Sequence, residues 1–498
     1  MKKYILAIDQ GTTSSRAVLA DSTNLQVIDH AGFEYPQIYP QASWVEHDLN
    51  DIWHSVEKSV LALLHKTQIA SSQIIGIGIT NQRETTCAYN KQGEPLAHAI
   101  VWQDKRTSDY CSKQKKYSDF FKQKTGLPLD PYFSATKMKW LLENNALVKE
   151  AYQKNDLCLS TIDSFLLYKL TNAQSFATDT TNASRTLLFN LETKSWDEEL
   201  CAFFNIKSNV LPAIQNSFSF FGKTSHCSFL PDGIPIHAIL GDQQSALFGQ
   251  GCFLPGETKC TYGTGAFLLK NTGEKIVHSQ KGLLTTVAFS DESKTYYALE
   301  GSSFIAGAAV SWLRDQLSLI KKSSEINDLA NQSDISKCQD IFFFPYFSGI
   351  GSPYWNAGAK ASIHGLSRDS GKNEIAYACL EGIAMSVNDL VHTMDQEFSH
   401  AAANSLNVDG GACANDLMMQ MQASISNKKI IRPQNIETTA LGVILGVHYF
   451  QSKKSLEEIK KNLQIDKVFL NDEKNSNYYQ DKKRRWSKLI EKLYLTEN

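Results

Sequence analysis

The sequence predicts an α/β protein built as two similar halves facing a cleft. Strand-like apolar runs alternate with amphipathic helical stretches along the whole chain, the signature of α/β architecture. Two turns rich in glycine and threonine, each bordered by apolar residues, recur about half a chain apart. The length of 498 residues gives room for roughly two to four domains with ample core.

The first turn lies in Ile8-Asp9-Gln10-Gly11-Thr12-Thr13-Ser14-Ser15-Arg16, between the apolar runs Tyr4 to Ile8 and Ala17 to Leu19. That is the pattern of a β-hairpin with a tight, hydroxyl-rich turn. Asp51 to His65 reads as a helix, apolar at Ile52, Trp53, Val56, Val60 and Leu64. Ile74 to Ile79 reads as a buried strand that leads into the polar run Asn81-Gln82-Arg83-Glu84-Thr85-Thr86. The apolar run Ile234 to Leu240 ends in Gly241-Asp242-Gln243-Gln244, and the boundary between halves falls near Gly249 to Gly256. The second turn follows at Thr261-Tyr262-Gly263-Thr264-Gly265-Ala266-Phe267. Phe304 to Ile320, Glu374 to Met394 and Asp416 to Ile425 read as helices. The strand Leu406-Asn407-Val408 ends in Asp409-Gly410-Gly411, and a helix starts at Asn415 or Asp416.

Composition narrows the function classes. The formal charge of −2 offers no electrostatic reason to expect nucleic acid or an anionic membrane as partner. The basic cluster Lys482-Lys483-Arg484-Arg485 lies in a lysine- and glutamate-rich tail and reads as a solvated helix face. Ten cysteines are scattered without a C-x-x-C pair, which points to reduced thiols in a cytoplasmic protein and away from a zinc site or disulfide framework. After Met1-Lys2-Lys3 the apolar run is interrupted at Asp9, too early for a signal peptide, and no stretch reaches the length of a membrane span.

Glycine lets backbone approach an anion closely, while N–H groups and threonine hydroxyls donate to its oxygens. Two such turns in successive halves suit a polyphosphate gripped from both sides. No G-x-x-x-x-G-K-[ST] motif occurs, and the pairs Gly76/Gly78, Gly249/Gly251, Gly263/Gly265 and Gly349/Gly351 lack the third glycine of the dinucleotide fingerprint. Phosphoryl transfer in such a cleft needs a metal-associated carboxylate and a base for the acceptor hydroxyl. Asp9 suits the first role and Asp242 the second. Arg83 and Glu84 offer a donor and an acceptor to neighbouring hydroxyls, and Trp102 and Tyr132 add the aromatic walls of a polyol pocket. Each has a plainer reading: a helix N-cap for Asp242, a surface ion pair for Arg83 and Glu84, core packing for Trp102 and Tyr132.

These segments, with Trp44-Val45-Glu46-His47-Asp48, Asp179 to Thr186 and Val408-Asp409-Gly410-Gly411-Ala412, closely resemble the FGGY carbohydrate kinases, above all the members that phosphorylate glycerol. The family's signature segments are echoed at Tyr132 to Trp140 and Gly365 to Gly382, and the resemblance weakens after about Phe450. It implies two ribonuclease-H-like domains of the actin/hexokinase/Hsp70 type around a central nucleotide cleft, here assigned to residues 1–250 and 251–498. It implies ATP plus glycerol giving ADP plus sn-glycerol 3-phosphate, the first step of glycerol catabolism, in a homodimer or homotetramer. By position, Thr12, Thr13, Ser14 and Arg16 would meet the nucleotide from the first half, and Thr264, Gly307, Ser311, Gly411 and Asn415 from the second. Arg83, Glu84, Trp102, Tyr132, Asp242, Gln243 and Phe267 would bind glycerol. Asp242 would accept the hydroxyl proton, and Asp9 and Asp242 would associate with Mg²⁺.

Three departures stand out. Ser311 occupies a position where bacterial relatives often carry Gln. Gly233 replaces an Arg that some relatives use for fructose 1,6-bisphosphate, so inhibition by that sugar phosphate is not expected. The histidine that others phosphorylate in this loop corresponds to Ser228, with His226 close by. Two alternatives stay open: an FGGY kinase for another polyol or ketose, and an actin-like or Hsp70-like nucleotide switch.

Overall fold

The computed structural model describes residues 2–400 and 404–495. Met1, where the N-terminal reading starts, and 496–498, where the second assigned half ends, lie outside the described residues.

The first half opens with an antiparallel meander of β1 (Tyr4–Gln10), β2 (Ser14–Asp21) and β3 (Val27–Glu34). Helix α1 (Leu49–Thr67) starts where Asp48 accepts a hydrogen bond from the Asn50 N–H at 2.8 Å, a short-range cap for an otherwise orphaned donor. Its buried stripe of Leu49, Ile52, Val56, Val60 and Leu63 packs on β2 and β3. Strand β4 (Ile74–Asn81) lies parallel to β1. β5 (Phe218–Lys223) and β6 (Pro235–Gly241) complete the sheet in the order β5-β6-β4-β1-β2-β3, with β6 parallel to β4. α2 (Asp242–Gly249) follows β6 directly.

The second half repeats the plan. β7 (Thr258–Tyr262) and β8 (Ala266–Gly273) form the second hairpin, extended by β9 (Leu284–Ser290) and β10 (Thr295–Ser303). Then come α3 (Gly307–Asp315), α4 (Lys372–Glu397), β11 (Ser405–Asp409), α5 (Asp416–Ser426) and β12 (Lys429–Pro433). α6 (Thr438–Ser452), β13 (Ile465–Phe469) and α7 (Ser476–Ile490) close the chain. The strand order is β9-β10-β8-β7-β11-β12-β13, and β11 lies parallel to β7 as β4 does to β1. Each hairpin turn therefore sits at the carboxyl end of parallel strands, where open α/β sheets bind ligands.

Two helices tie the halves together. α6, although it follows β12, packs on β1, β4 and β6 of the first sheet and crosses α2, while α2 also contacts β7, β8 and β9. The crossing is close because both helices carry glycine there. A Cβ on Gly249 would fall 2.1 Å from the Thr438 carbonyl oxygen, and one on Gly442 would fall 1.9 Å from that of Ser245. The shared core that results joins Ile5, Ala7 and Leu240 to Leu269, Phe289 and Val443.

Two sequence-based expectations need correction. The helix expected over 304–320 is confined to Gly307–Asp315: before it the Ala306 N–H is drawn to the Thr264 carbonyl at 2.8 Å, and beyond it Ser318 turns into the left-handed region at φ 52°. The basic cluster of the tail is not simply a solvated face. Lys482 is 1% exposed, donating to the Cys338 and Ile341 carbonyls and pairing with Glu381 at 3.1 Å. α7 buries Tyr479, Lys482, Trp486 and Ile490 in the second core.

Among the described residues the cysteines are free thiols, and no helix there is long and apolar enough to cross a membrane.

Candidate active site

Strand register assembles the first wall. Gln10 of β1 lies beside Asn81 of β4, and Asn81 beside Gly241 of β6. Asp9, the Asn81–Glu84 run and Asp242 thus emerge together at one sheet edge. The first turn closes through the Gly11 N–H on the Ser14 carbonyl at 2.9 Å. It is braced by the Tyr35 hydroxyl, 2.6 and 2.7 Å from the Gly11 and Thr12 carbonyl oxygens. Trp102 donates its indole N–H to Thr12 Oγ1 at 3.0 Å. Arg16, opposite Asp9 in the hairpin, pairs with Glu437 at the start of α6.

Two carboxylates, those of Asp9 and Asp242, stand near enough for their charges to repel. Burial pushes the Asp9 carboxyl up to about 7, against the pull of Arg16 and with a further push from Asp242. Asp242 is also raised, by burial, while Arg83, the Gln243 N–H and Lys259 draw it back. A raised carboxyl is a better proton acceptor near neutral pH. Such a pair of hard oxygen ligands suits Mg²⁺, which keeps waters and takes substrate phosphates rather than a full protein cage. Among the described residues no group of three or more His, Cys, Asp or Glu converges on a metal position.

Arg83 and Glu84 are 3% and 1% exposed, so they are not a surface ion pair, nor do they pair with one another. A three-residue turn closes from the Thr85 N–H to the Arg83 carbonyl at 2.7 Å, with Glu84 in the left-handed region at φ 60°. This strained conformation breaks strand alternation and lets neighbouring side chains serve one site. Arg83 Nη1 donates to Glu300 Oε2 at 2.5 Å and to Gln244 Oε1 at 3.3 Å, and Nη2 donates to Glu300 Oε1 at 3.1 Å. Its Nε lies 3.2 Å from Asp242 Oδ1. Arg185 donates through Nε to Glu84 Oε1 at 2.6 Å and through Nη2 to Glu300 Oε1 at 3.0 Å. Burial would lift Glu300, but the Arg185 and Arg83 guanidiniums hold it down near about 2. A Cβ on Gly241 would meet Arg83 Cγ and Cδ at 2.8 Å, so glycine there is what admits the arginine.

Tyr132 is half-buried beside this cluster, edge-on to Trp102 with ring centroids 5.6 Å apart and 5.7 Å from the Arg185 guanidinium carbon. The second sheet supplies the opposite wall. Lys259, Leu269 and Glu300 form one cross-strand row, and Thr261, Phe267 and Ser302 the next, so these side chains share a face. Lys259 Nζ donates to Gln243 Oε1 at 2.5 Å and to Thr261 Oγ1 at 2.8 Å, fixing Gln243.

The remaining sequence-chosen residues gather at the second hairpin. Gly307 donates its N–H to the Gly263 carbonyl at 3.0 Å, and a Cβ on it would lie 2.7 Å from that oxygen. Gly410, at φ 81°, nests against Tyr262, and Gly411 opens on free space, with no atom within 4 Å of an added Cβ. Asn415 caps α5 by accepting from the Met418 N–H at 2.9 Å. Ser311 lies one turn into α3, its hydroxyl 3.4 Å from the Gly307 carbonyl. Thr13 and Thr264 are exposed on their turns and Ser14 is half-buried. The two hairpins are linked by Arg16 to Glu437 and by neighbouring Thr438 to Asp409.

The N-terminal domain of the FGGY family of carbohydrate kinases matches residues 4–249, and its C-terminal domain matches residues 258–447. The chain belongs to the FGGY family of carbohydrate kinases. A glycerol kinase of Listeria monocytogenes is 43% identical over 499 residues, covering 98% of each chain. A glycerol kinase of Bdellovibrio bacteriovorus is 45% identical over 501 residues, covering 99% of this chain and 100% of its own. The solved Plasmodium falciparum glycerol kinase with ADP superposes with a TM-score of 0.92 at 35% identity, covering 100% of this chain and 99% of its own. The FGGY kinase fold is thus the actin/hexokinase-like pair of α/β domains that the resemblance implied.

Sequence reasoning passed over three residues of this FGGY site: Glu300, Arg185 and Lys259. A signal existed for two of them. Glu300 interrupts the apolar strand Tyr297-Ala298-Leu299, and Lys259 lies between Thr258 and Cys260 in another; charge inside a buried strand asks for a partner. Arg185, in a polar helical turn, carried no such mark.

Proposed function

We propose that this kinase transfers the γ-phosphoryl group of ATP to glycerol. The observation that carries the reading is the burial of Arg83 and Glu84, a fixed donor and a fixed acceptor, beside Asp242. Arg83 Nε stands 3.2 Å from the Asp242 carboxylate, so vicinal hydroxyls held by the pair would present one hydroxyl to that carboxylate. The full-length relatives named glycerol kinase, at 43% and 45% identity, support glycerol as the acceptor, and the relative solved with ADP supports the nucleotide.

In this reading Tyr132 and Gln243 hydrogen-bond the polyol, and Trp102 and Phe267 pack on its carbons. Asp242 takes the hydroxyl proton as the oxygen attacks the γ-phosphorus and ADP departs in line. Thr12, Thr13 and Ser14 donate to the phosphates, with Arg16 near them. Thr264 does the same from the second hairpin, while Gly307, Ser311, Gly411 and Asn415 border the nucleoside. Asp9 and Asp242 would hold Mg²⁺, which neutralises developing charge on the phosphates when bound. The division of labour follows residues 1–250, with acceptor and base, and 251–498, with the adenosine side. Closing the cleft over glycerol excludes water and so limits wasteful hydrolysis.

The test is ADP release with Mg-ATP across glycerol, xylitol, xylulose, ribulose and gluconate, with a no-acceptor control. Turnover that depends on glycerol alone is expected. Turnover on a sugar would keep the mechanism and overturn the substrate, and equal turnover without any acceptor would overturn the kinase reading in favour of an ATPase switch.

A further inference from the structure

We propose that Glu300 and Arg185 are positioning residues for the acceptor site: the second half, through Glu300, sets the orientation of Arg83 and Glu84 and keeps Arg83 from closing on Asp242. The proposal deepens the proposed function and rests on Arg83 and Glu84 being the residues that meet the acceptor.

The argument starts from charge order. Glu84, Arg185, Glu300, Arg83 and Asp242 stand in sequence with alternating sign, linked at 2.6, 3.0, 3.1 and 3.2 Å. Four of them are buried to within 3% of full exclusion from solvent, so each charge must be met by protein rather than water. Glu300 is the member that serves both neighbours fully, with Oε1 accepting from Arg185 and Arg83 and Oε2 from Arg83 again. It is also the only member on the second sheet, facing across from β10. Arg83 and Glu84 lie in a strained three-residue turn, a backbone that holds its shape only when its surroundings over-determine it.

Consider the chain without Glu300. The Nη groups of Arg83 would keep only the 3.3 Å contact to Gln244, and the nearest remaining carboxylate is Asp242. A fork-shaped pairing there is the favoured geometry of guanidinium and carboxylate. It would occupy both the donor meant for the polyol and the oxygen meant for its proton. Arg185 has a matching role for Glu84: one guanidinium reaches Glu84 and Glu300 at once, which the single ammonium of lysine cannot reproduce. Its Nη1 is buried without an acceptor among the described residues, so the other two nitrogens carry its whole task.

The experiment compares KM for acceptor, KM for ATP and kcat in wild type, Glu300→Gln, Glu300→Asp and Arg185→Lys. Glu300→Gln and Arg185→Lys are expected to raise the acceptor KM by at least about tenfold, the scale of one lost charged hydrogen bond, while the ATP KM stays within about twofold. Glu300→Asp keeps the charge but withdraws it, so it should raise the acceptor KM less; it also serves if the amide variant is insoluble. A role in folding alone would scale the maximal rate with the folded fraction and leave both KM values unchanged, and that result overturns the proposal. Wild-type turnover across the acceptor panel tests glycerol separately. The variants are compared on whichever acceptor the wild type uses, so loss of the glycerol reading would not rescue or sink this one.

Discussion

Replacing Asp242 with asparagine removes the proposed proton acceptor, and with it one carboxylate oxygen proposed for Mg²⁺, while the acceptor-binding contacts stay. The side chain receives the Gln243 N–H at 2.7 Å on Oδ1, a bond that an amide oxygen keeps. Arg83 loses a neighbour at 3.2 Å but retains both bonds to Glu300, so its charge is not orphaned. Removing a carboxylate that burial already disfavours should leave stability within about 1 kcal/mol of wild type. Glycerol should still bind, because Arg83, Glu84 and Tyr132 are untouched. The rate is another matter. A positioned base contributes roughly 10²–10⁴-fold, equivalent to about 3–5 kcal/mol of barrier, with the lower end favoured if the phosphoryl transition state is loose. The assay is ADP release at saturating Mg-ATP and glycerol, paired with calorimetric glycerol binding. Turnover close to wild type in a variant that binds glycerol normally would remove Asp242 from the base role.

Two predictions concern stability. Gly442→Ala drives a methyl group to within 1.9 Å of the Ser245 carbonyl oxygen; the obstacle is backbone, so α2 and α6 must separate, at a cost of about 1–3 kcal/mol or more. A melting temperature equal to wild type would show that the crossing yields freely. Asp389 is half-buried, its carboxyl pushed up to about 7 by desolvation, and it accepts from the Trp486 indole N–H at 2.9 Å. Its folded-state pKa is raised, so the folded chain holds a proton that the unfolded chain has lost between about pH 4 and 7. Stability from this group is therefore present at low pH and falls as pH rises through that window, by at most about 4 kcal/mol. Asp389→Asn should keep the indole bond and flatten the dependence, gaining on wild type at pH 8 relative to pH 5; parallel melting curves across pH would contradict this.

Much of the site was legible because its signals are local. The Gly11–Ser14 and Gly263–Gly265 turns are bordered by apolar strand residues, and both form hairpins. Helix α1 begins at its Asp48 cap with its apolar stripe inward. The helix at 304–320 was overextended because apolar spacing reveals neither the bond from the Ala306 amide to the distant Thr264 carbonyl nor the left-handed turn at Ser318. Lys482 misled for a similar reason: a lysine in a basic run looks solvated until the Cys338 and Ile341 carbonyls and Glu381 close over it.

The chain by itself determined the α/β alternation, the two glycine-and-threonine hairpin turns, and the placing of Asp9, Arg83, Glu84 and Asp242 at strand ends. These depend on short-range rules of period, turn chemistry and capping. Only the tertiary structure decided what compensates the buried charges. Arg83 meets Glu300 from 217 residues away, and Glu84 meets Arg185 from 101. It also decided that α6 of the second half should lie on the first sheet. The physical reason is common to both: burial makes a partner obligatory for a charge or an apolar face, but any partner of suitable chemistry would satisfy it, and only the packed chain selects which.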